Sequence, residues 1–159
     1  MKNDYAFFDA IRANDLETVK SMLAADPALI NTPAPKKPAD TRGMSPLQAA
    51  LCTGWHRDIA WLLLELGADV RATDQYGRGV LMEAVEETSR LCPVRNEETG
   101  GFYPGRPVTE EMRHDIRRIF RLLIDADADR ENRSSYSGRT IRQHYEGSPV
   151  WELCGDMFQ

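Results

Sequence analysis

Gly43-Met44-Ser45-Pro46-Leu47-Gln48-Ala49-Ala50 is the stretch that decides the fold. Ser45 and Gln48 hold the two positions of a reciprocal capping box. The hydroxyl can accept from the N–H near Gln48, and the glutamine side chain can reach back to the start of the helix. Pro46 falls at the first helical position, where its missing N–H costs nothing and its fixed φ suits the helix. Ala49 and Ala50 are small, which lets a neighbouring helix come close. Arg57-Asp58-Ile59-Ala60-Trp61-Leu62-Leu63 follows as a second helix, with apolar residues at i, i+3 and i+4 on one face. It runs on to Gly67-Ala68-Asp69, which reads as a helix end.

The same pattern recurs on both sides. Leu16-Glu17-Thr18-Val19-Lys20-Ser21-Met22-Leu23 and Arg117-Arg118-Ile119-Phe120-Arg121-Leu122-Leu123 align with residues 57–63, placing Val19, Ile59 and Ile119 together, and Leu23, Leu63 and Leu123 together. A helix is expected before each: Tyr5 to Ala13, the capped segment from Ser45, and Val80 to Arg90. A fourth spans Thr140 to Glu146, and Ser148-Pro149-Val150-Trp151 starts a last one. The unit is helix, short turn, helix, then an extended loop.

Residues 43–50 resemble the ankyrin signature Gly-x-Thr-Pro-Leu-His-x-Ala, with Ser45 for threonine and Gln48 for histidine. Gly54 and the run Ile59 to Val70 complete the resemblance, and Asp74-Gln75-Tyr76-Gly77 resembles the next finger. This resemblance implies an all-α fold, a solenoid of helix-turn-helix units with β-hairpin-like fingers. Four units are expected in a single domain over 1–159: about 4–31, 40–73, 74–129 with an insertion at 92–108, and 130–159, the first and last irregular. Stacked neighbours would share one core, and the end units would cap it. Trp151 and Leu153 are expected to close the open end.

The spacing departs from the roughly 33-residue ankyrin period. Leu23 and Leu63 are 40 positions apart, and the Pro-rich run Thr32 to Pro38 supplies the excess. Leu63 and Leu123 are 60 apart, and that excess lies in Cys92-Pro93 through Pro107. Asp127 stands where glycine is usual at a left-handed helix end, a conformation aspartate tolerates better than most residues. Gly79-Val80 replaces Thr-Pro, so the third unit should start more weakly.

Composition narrows the function. The chain has 159 residues, 42% hydrophobic and 28% charged, with a net charge of -5. That balance suits an ordinary globular protein and disfavours nucleic acid, which asks for a basic surface. No run approaches the roughly 18–20 apolar residues of a membrane span. The polar start gives no sign of a signal peptide, so a cytoplasmic location is expected. Cys52, Cys92 and Cys154 are few and scattered, which suits reduced thiols better than a disulfide framework or zinc site.

Catalytic chemistry finds no constellation. There is no G-x-S-x-G, no phosphate-binding glycine loop, and Ser45 reads as a cap. His56 and His114, at the starts of second helices, read as structural. No catalytic residue, metal site or cofactor is expected, and the chain should work as a monomer that binds a protein.

The resemblance implies contacts through finger tips and inner helices. It assigns Thr41, Arg42 and Met44 to one finger and Gln75, Tyr76 and Arg78 to the next. Cys52 and Thr53 fall on one inner helix, and Glu86 and Glu87 on the following one, while Trp55 occupies a turn. Glu83, Glu86 and Glu87 share one helix face at i, i+3 and i+4. They make either a solvated face with Arg90 as partner or an acidic groove for a protein with a basic surface. Residues 113–147 carry 8 basic and 6 acidic side chains, so charge is uneven along the stack; Arg117, Arg118 and Arg121 are expected on a solvated outer face. In the insertion, Phe102 and Tyr103 are either an aromatic anchor for a partner or a tuck holding the loop down. The leading reading is an adaptor or regulatory module; the alternative is a dedicated inhibitor, such as an immunity protein neutralising a toxin enzyme, with the insertion as its plug.

Overall fold

The computed structural model describes residues 2–35, 43–52, 55–92, 96–101 and 109–159. Eight α-helices lie among them: α1 Lys2–Arg12, α2 Leu16–Ala25, α3 Pro46–Cys52, α4 Arg57–Glu65, α5 Val80–Leu91, α6 Glu110–Asp125, α7 Ile141–Tyr145 and α8 Pro149–Cys154. Short 3-10 turns follow α2 and α8, at Pro27–Asn31 and Gly155–Phe158. The chain is thus an all-helical repeat fold.

Local chemistry sets the helix starts. Both bonds of the box in front of α3 are made: Gln48 N–H donates to Ser45 Oγ at 3.2 Å, and Ser45 N–H to Gln48 Oε1 at 3.1 Å. Thr140 and Gln143 repeat the arrangement before α7. Asp15 caps α2 and Thr109 caps α6. Gly79 gives α5 no side-chain cap, in line with the weaker start expected there.

The helix ends match as closely. Gly67 sits at φ +86° after α4 and Asp127 at φ +67° after α6. Ala68 N–H donates to Leu63 O, and Ala128 N–H donates to Leu123 O, both at 2.9 Å. Aspartate therefore carries the left-handed position that glycine fills in the previous unit.

Packing joins these pairs in two rows. α3 packs against α1 and α5, α4 against α2 and α6, and each pair α1–α2, α3–α4 and α5–α6 is in contact. The aligned residues Val19, Ile59 and Ile119 are all fully buried, as are Leu63 and Leu123. Burying each such side chain contributes on the order of 1.5–3 kcal/mol. α8 packs on both α5 and α6 and closes the C-terminal end. Leu153 is buried there, Trp151 is half-buried, and Phe158 lies 5.1 Å from the Trp151 ring.

Two expectations for α6 need correcting. Arg117 is not merely solvated: it donates to Leu153 O at 2.7 Å and to both Asp156 oxygens at 2.9 Å, tying α6 to the C-terminal turn. Arg118 lies 4.3 Å over the Trp61 ring. His114 is exposed. His56 does bridge units, its Nε2 3.2 Å from Arg12 O.

The Arg117 clamp holds the Asp156 carboxyl below its ordinary value of 3.8, chiefly through the hydrogen bond, and raises Arg117 in turn. A depressed carboxylate stabilises the fold above its unfolded pKa and loses that contribution as pH falls through its folded pKa. We expect Arg117→Gln to lower the melting temperature at neutral pH. The difference from wild type should narrow in acid, below pH 3.8, to the part carried by the Leu153 carbonyl bond, when both are scanned by circular dichroism.

The fingers are tighter than strand-bearing hairpins. Among the described residues, only single antiparallel bridges occur there, Thr73 with Gly79 and Arg133 with Thr140. The reason lies in Asp74, whose Oδ1 accepts from Tyr76 N–H at 2.8 Å and Arg78 N–H at 3.1 Å. Its local bonds close the turn in place of a longer ladder.

Side-chain amides staple each turn to its neighbour. Gln48 donates to Arg78 O at 2.8 Å. Asn132, buried, accepts from Gly79 N–H at 3.0 Å and donates to Gly77 O at 2.8 Å. We expect Asn132→Ala to cost about 1–3 kcal/mol, because two backbone groups lose their partners. Urea denaturation checks this; an unchanged midpoint would show that the staple contributes nothing.

Candidate functional site

The two finger turns and two helices enclose a groove of about 390 Å³. Tyr76 and Arg78 come from the first turn, and Ser134, Tyr136 and Ser137 from the second. Met82 and Glu86 on α5 and His144 and Tyr145 on α7 form the rest of its wall. One backbone bond and two side-chain bonds tie the two turns together: Ser135 N–H donates to Tyr76 O at 2.8 Å, Ser135 Oγ donates to the same oxygen, and Asn132 donates to Gly77 O. The rims therefore hold still while the rings project. Tyr136 is 92% exposed and Tyr76 43%.

Below the rings runs a charge ladder. The Arg78 side chain, 17% exposed, lies 3.7 Å from Glu83 and in direct contact with Glu86. Arg90 reaches Glu86 at 3.5 Å and Glu87 at 3.2 Å. Glu86 thus sits between two guanidiniums, with Glu87 held by one of them. Burial pushes the Glu87 carboxyl up, Arg90 pulls it back, and Glu83 adds to the rise. An incoming cation would relieve that penalty. Burial also raises the Tyr145 hydroxyl, which keeps its proton to donate.

The residues expected at a binding surface separate into groups. Tyr76, Arg78 and Glu86 line the groove, Gln75 is exposed beside them, and Glu87 neighbours them through Arg90. Glu83 lies at 2% exposure beneath Arg78, so it offers a ligand no surface of its own. Met44 is buried beside Cys52 Sγ, 3.4 Å away, and offers no surface. Trp55, at φ +58°, lines a different hollow with Asn14 and His56. Arg42, Thr53, Phe102 and Tyr103 lie outside the described residues.

Sequence reading missed Tyr136, Ser137, His144 and Tyr145. One signal could have found the first: the 60-residue offset between Leu63 and Leu123 also joins Tyr76 to Tyr136.

Ser137 Oγ lies 2.7 Å from His144 Nε2, a serine–histidine contact at the groove mouth. Both side chains are exposed, and among the described residues no carboxylate bonds the other ring nitrogen, the place of the orienting group in a hydrolytic triad. Burial pushes the Cys154 thiol up to about 12 and raises Cys92 as well, which disfavours thiolate chemistry at either. Among the described residues no His, Cys, Asp and Glu gather as a metal site, and no helix is long and apolar enough to cross a membrane.

A family model for ankyrin repeats (3 copies) matches residues 7–92, more than half of the chain. No curated protein matches the chain.

Proposed function

Since the chain belongs to the ankyrin-repeat family, whose repeats generally mediate protein–protein interaction, we propose that it is a non-enzymatic monomer that holds a protein in the Tyr76–Tyr136 groove. The observation carrying this reading is the pair of exposed tyrosines on two mutually bonded turns. Tyrosine supplies large contact area with few torsions to freeze, which makes it a frequent hot-spot residue. Fixed rims mean that little ordering entropy is lost on binding.

The partner presents a basic segment. Glu86 and Glu87 are the carboxylates of α5 placed to receive a cation, and Glu87 gains most from one because burial disfavours its charge. Such pairing sets orientation and on-rate more than affinity. The finger tips and the inner helix α5 act together here, as the family resemblance implies. A cytoplasmic adaptor or regulator fits this reading. The inhibitor alternative drew on Phe102 and Tyr103 of the insertion, and no observation on the described residues favours it over the groove.

The test is site-specific photo-cross-linking in the native host, with a benzophenone amino acid at position 136 or at exposed Leu122 on α6. A discrete protein adduct from position 136, absent from 122, supports the groove. Equal adducts from both, or none from 136, sink it.

A further inference from the structure

A second groove of about 390 Å³ runs along α6, lined by Glu110, Arg113, His114, Arg117, Arg118 and Arg121. It shares no residue with the tyrosine groove. Arg113, Arg117 and Arg121 stand at i, i+4 and i+8, where like charges repel along a helix. Asp156 neutralises Arg117, and acts on Arg121 only from longer range. Arg118 is spent on the Trp61 face, which leaves its charge intact. Among the described residues, Arg113, Arg118 and Arg121 make no ion pair at contact distance. Against those three guanidiniums the groove lining sets one carboxylate, Glu110, so a chain of net charge -5 carries net positive charge on this helix face.

We propose that this face of α6 docks a short acidic segment of a second protein, independently of the tyrosine groove. Guanidinium groups fork onto carboxylates with two parallel bonds, so two or three Asp or Glu side chains match Arg113, Arg118 and Arg121. The length of the patch selects the partner. From residue 113 to 121 a helix rises about 12 Å. A duplex carrying one charge every 1.7 Å or so would run far past that span. It would then lie against a net-negative chain within the roughly 8 Å reach of its field. A short acidic segment seated over residues 113–121 meets the arginines and stops short of Glu110. Two docking surfaces that share no residue suit an adaptor that bridges two proteins, whereas an inhibitor needs one.

The experiment titrates the isotope-labelled full chain with a blocked hexaglutamate peptide at low salt, read by amide and indole N–H shifts. We expect saturable shifts confined to residues 110–121 and the Trp61 indole, where Arg118 is stacked. Arg113→Glu/Arg121→Glu should weaken binding by at least about fivefold. Arg113→Gln/Arg121→Gln stands in if the reversal unfolds the chain. Tyr76→Ala/Tyr136→Ala should leave hexaglutamate affinity unchanged, so failure of this surface and failure of the groove remain distinguishable. Shifts that never saturate, that spread over the whole surface, or that survive the charge reversal overturn the assignment. Tighter binding of a short DNA duplex at the same arginines overturns the protein partner.

Discussion

Phe120→Ala should destabilise the chain by about 3–5 kcal/mol, the cost of a large cavity at a fully buried aromatic. Phe120 stands on α6, which packs against α4, α5 and α8, so its ring serves several contacts at once. Its ring lies edge-on to Phe158 at a centroid distance of 6.3 Å, and Phe158 in turn stacks near Trp151. Collapse around the gap is limited because helices fix its walls. A loss of that size removes a large share of the 5–15 kcal/mol typical of a folded domain. It should unseat α8 before the N-terminal pairs, since neighbouring units in a stack carry most of each other's stability. Denaturant unfolding measures the loss, and amide exchange locates it. Leu122→Ala, on the same helix but exposed, should cost no more than about 0.5–1 kcal/mol. Equal losses for the two would mean that α6 does not sit where its packing indicates.

The second large effect is on binding. Tyr76→Ala/Tyr136→Ala should weaken the partner by about 2–4 kcal/mol, roughly 30- to 1000-fold in Kd. Stability should barely move, because the groove rests on backbone groups that alanine keeps. Tyr76 contributes its carbonyl, not its ring, to the bond from Ser135. The Asp74 turn likewise closes through main-chain N–H groups of residues 76 and 78. A double variant that melts like wild type yet loses its partner separates recognition from folding.

The sequence made the scaffold readable to a fine level, for reasons that are local. Capping is a four-residue event, so Ser45 and Gln48 announced α3 without any tertiary knowledge. Val19, Ile59 and Ile119 could be aligned because a buried helix face repeats every three or four residues. Asp127 revealed a left-handed helix end because few other residues tolerate one.

What the sequence hid depends on distant partners. Arg117 looked like a solvated arginine, since its acceptors lie 36 and 39 residues away. The stripe of Glu83, Glu86 and Glu87 was visible, but not that Arg78 folds over it from the preceding turn. Spacing alone puts all three on one face, yet Glu83 lies deepest and is covered. Met44 looked like a finger residue, and its burial follows from contacts that no local pattern encodes. Half of the groove went unseen because Tyr136, His144 and Tyr145 sit in the irregular last unit, where no signature motif marks them.

The most direct test of the central claim takes the protein cross-linked through position 136, purifies it, and measures its affinity by calorimetry. Wild type is compared with Tyr76→Ala/Tyr136→Ala and with Phe102→Ala/Tyr103→Ala. Binding lost with the first pair and kept within about threefold with the second is the predicted result. Binding kept with the first pair and lost with the second contradicts the account, moving recognition to the insertion and favouring an inhibitor.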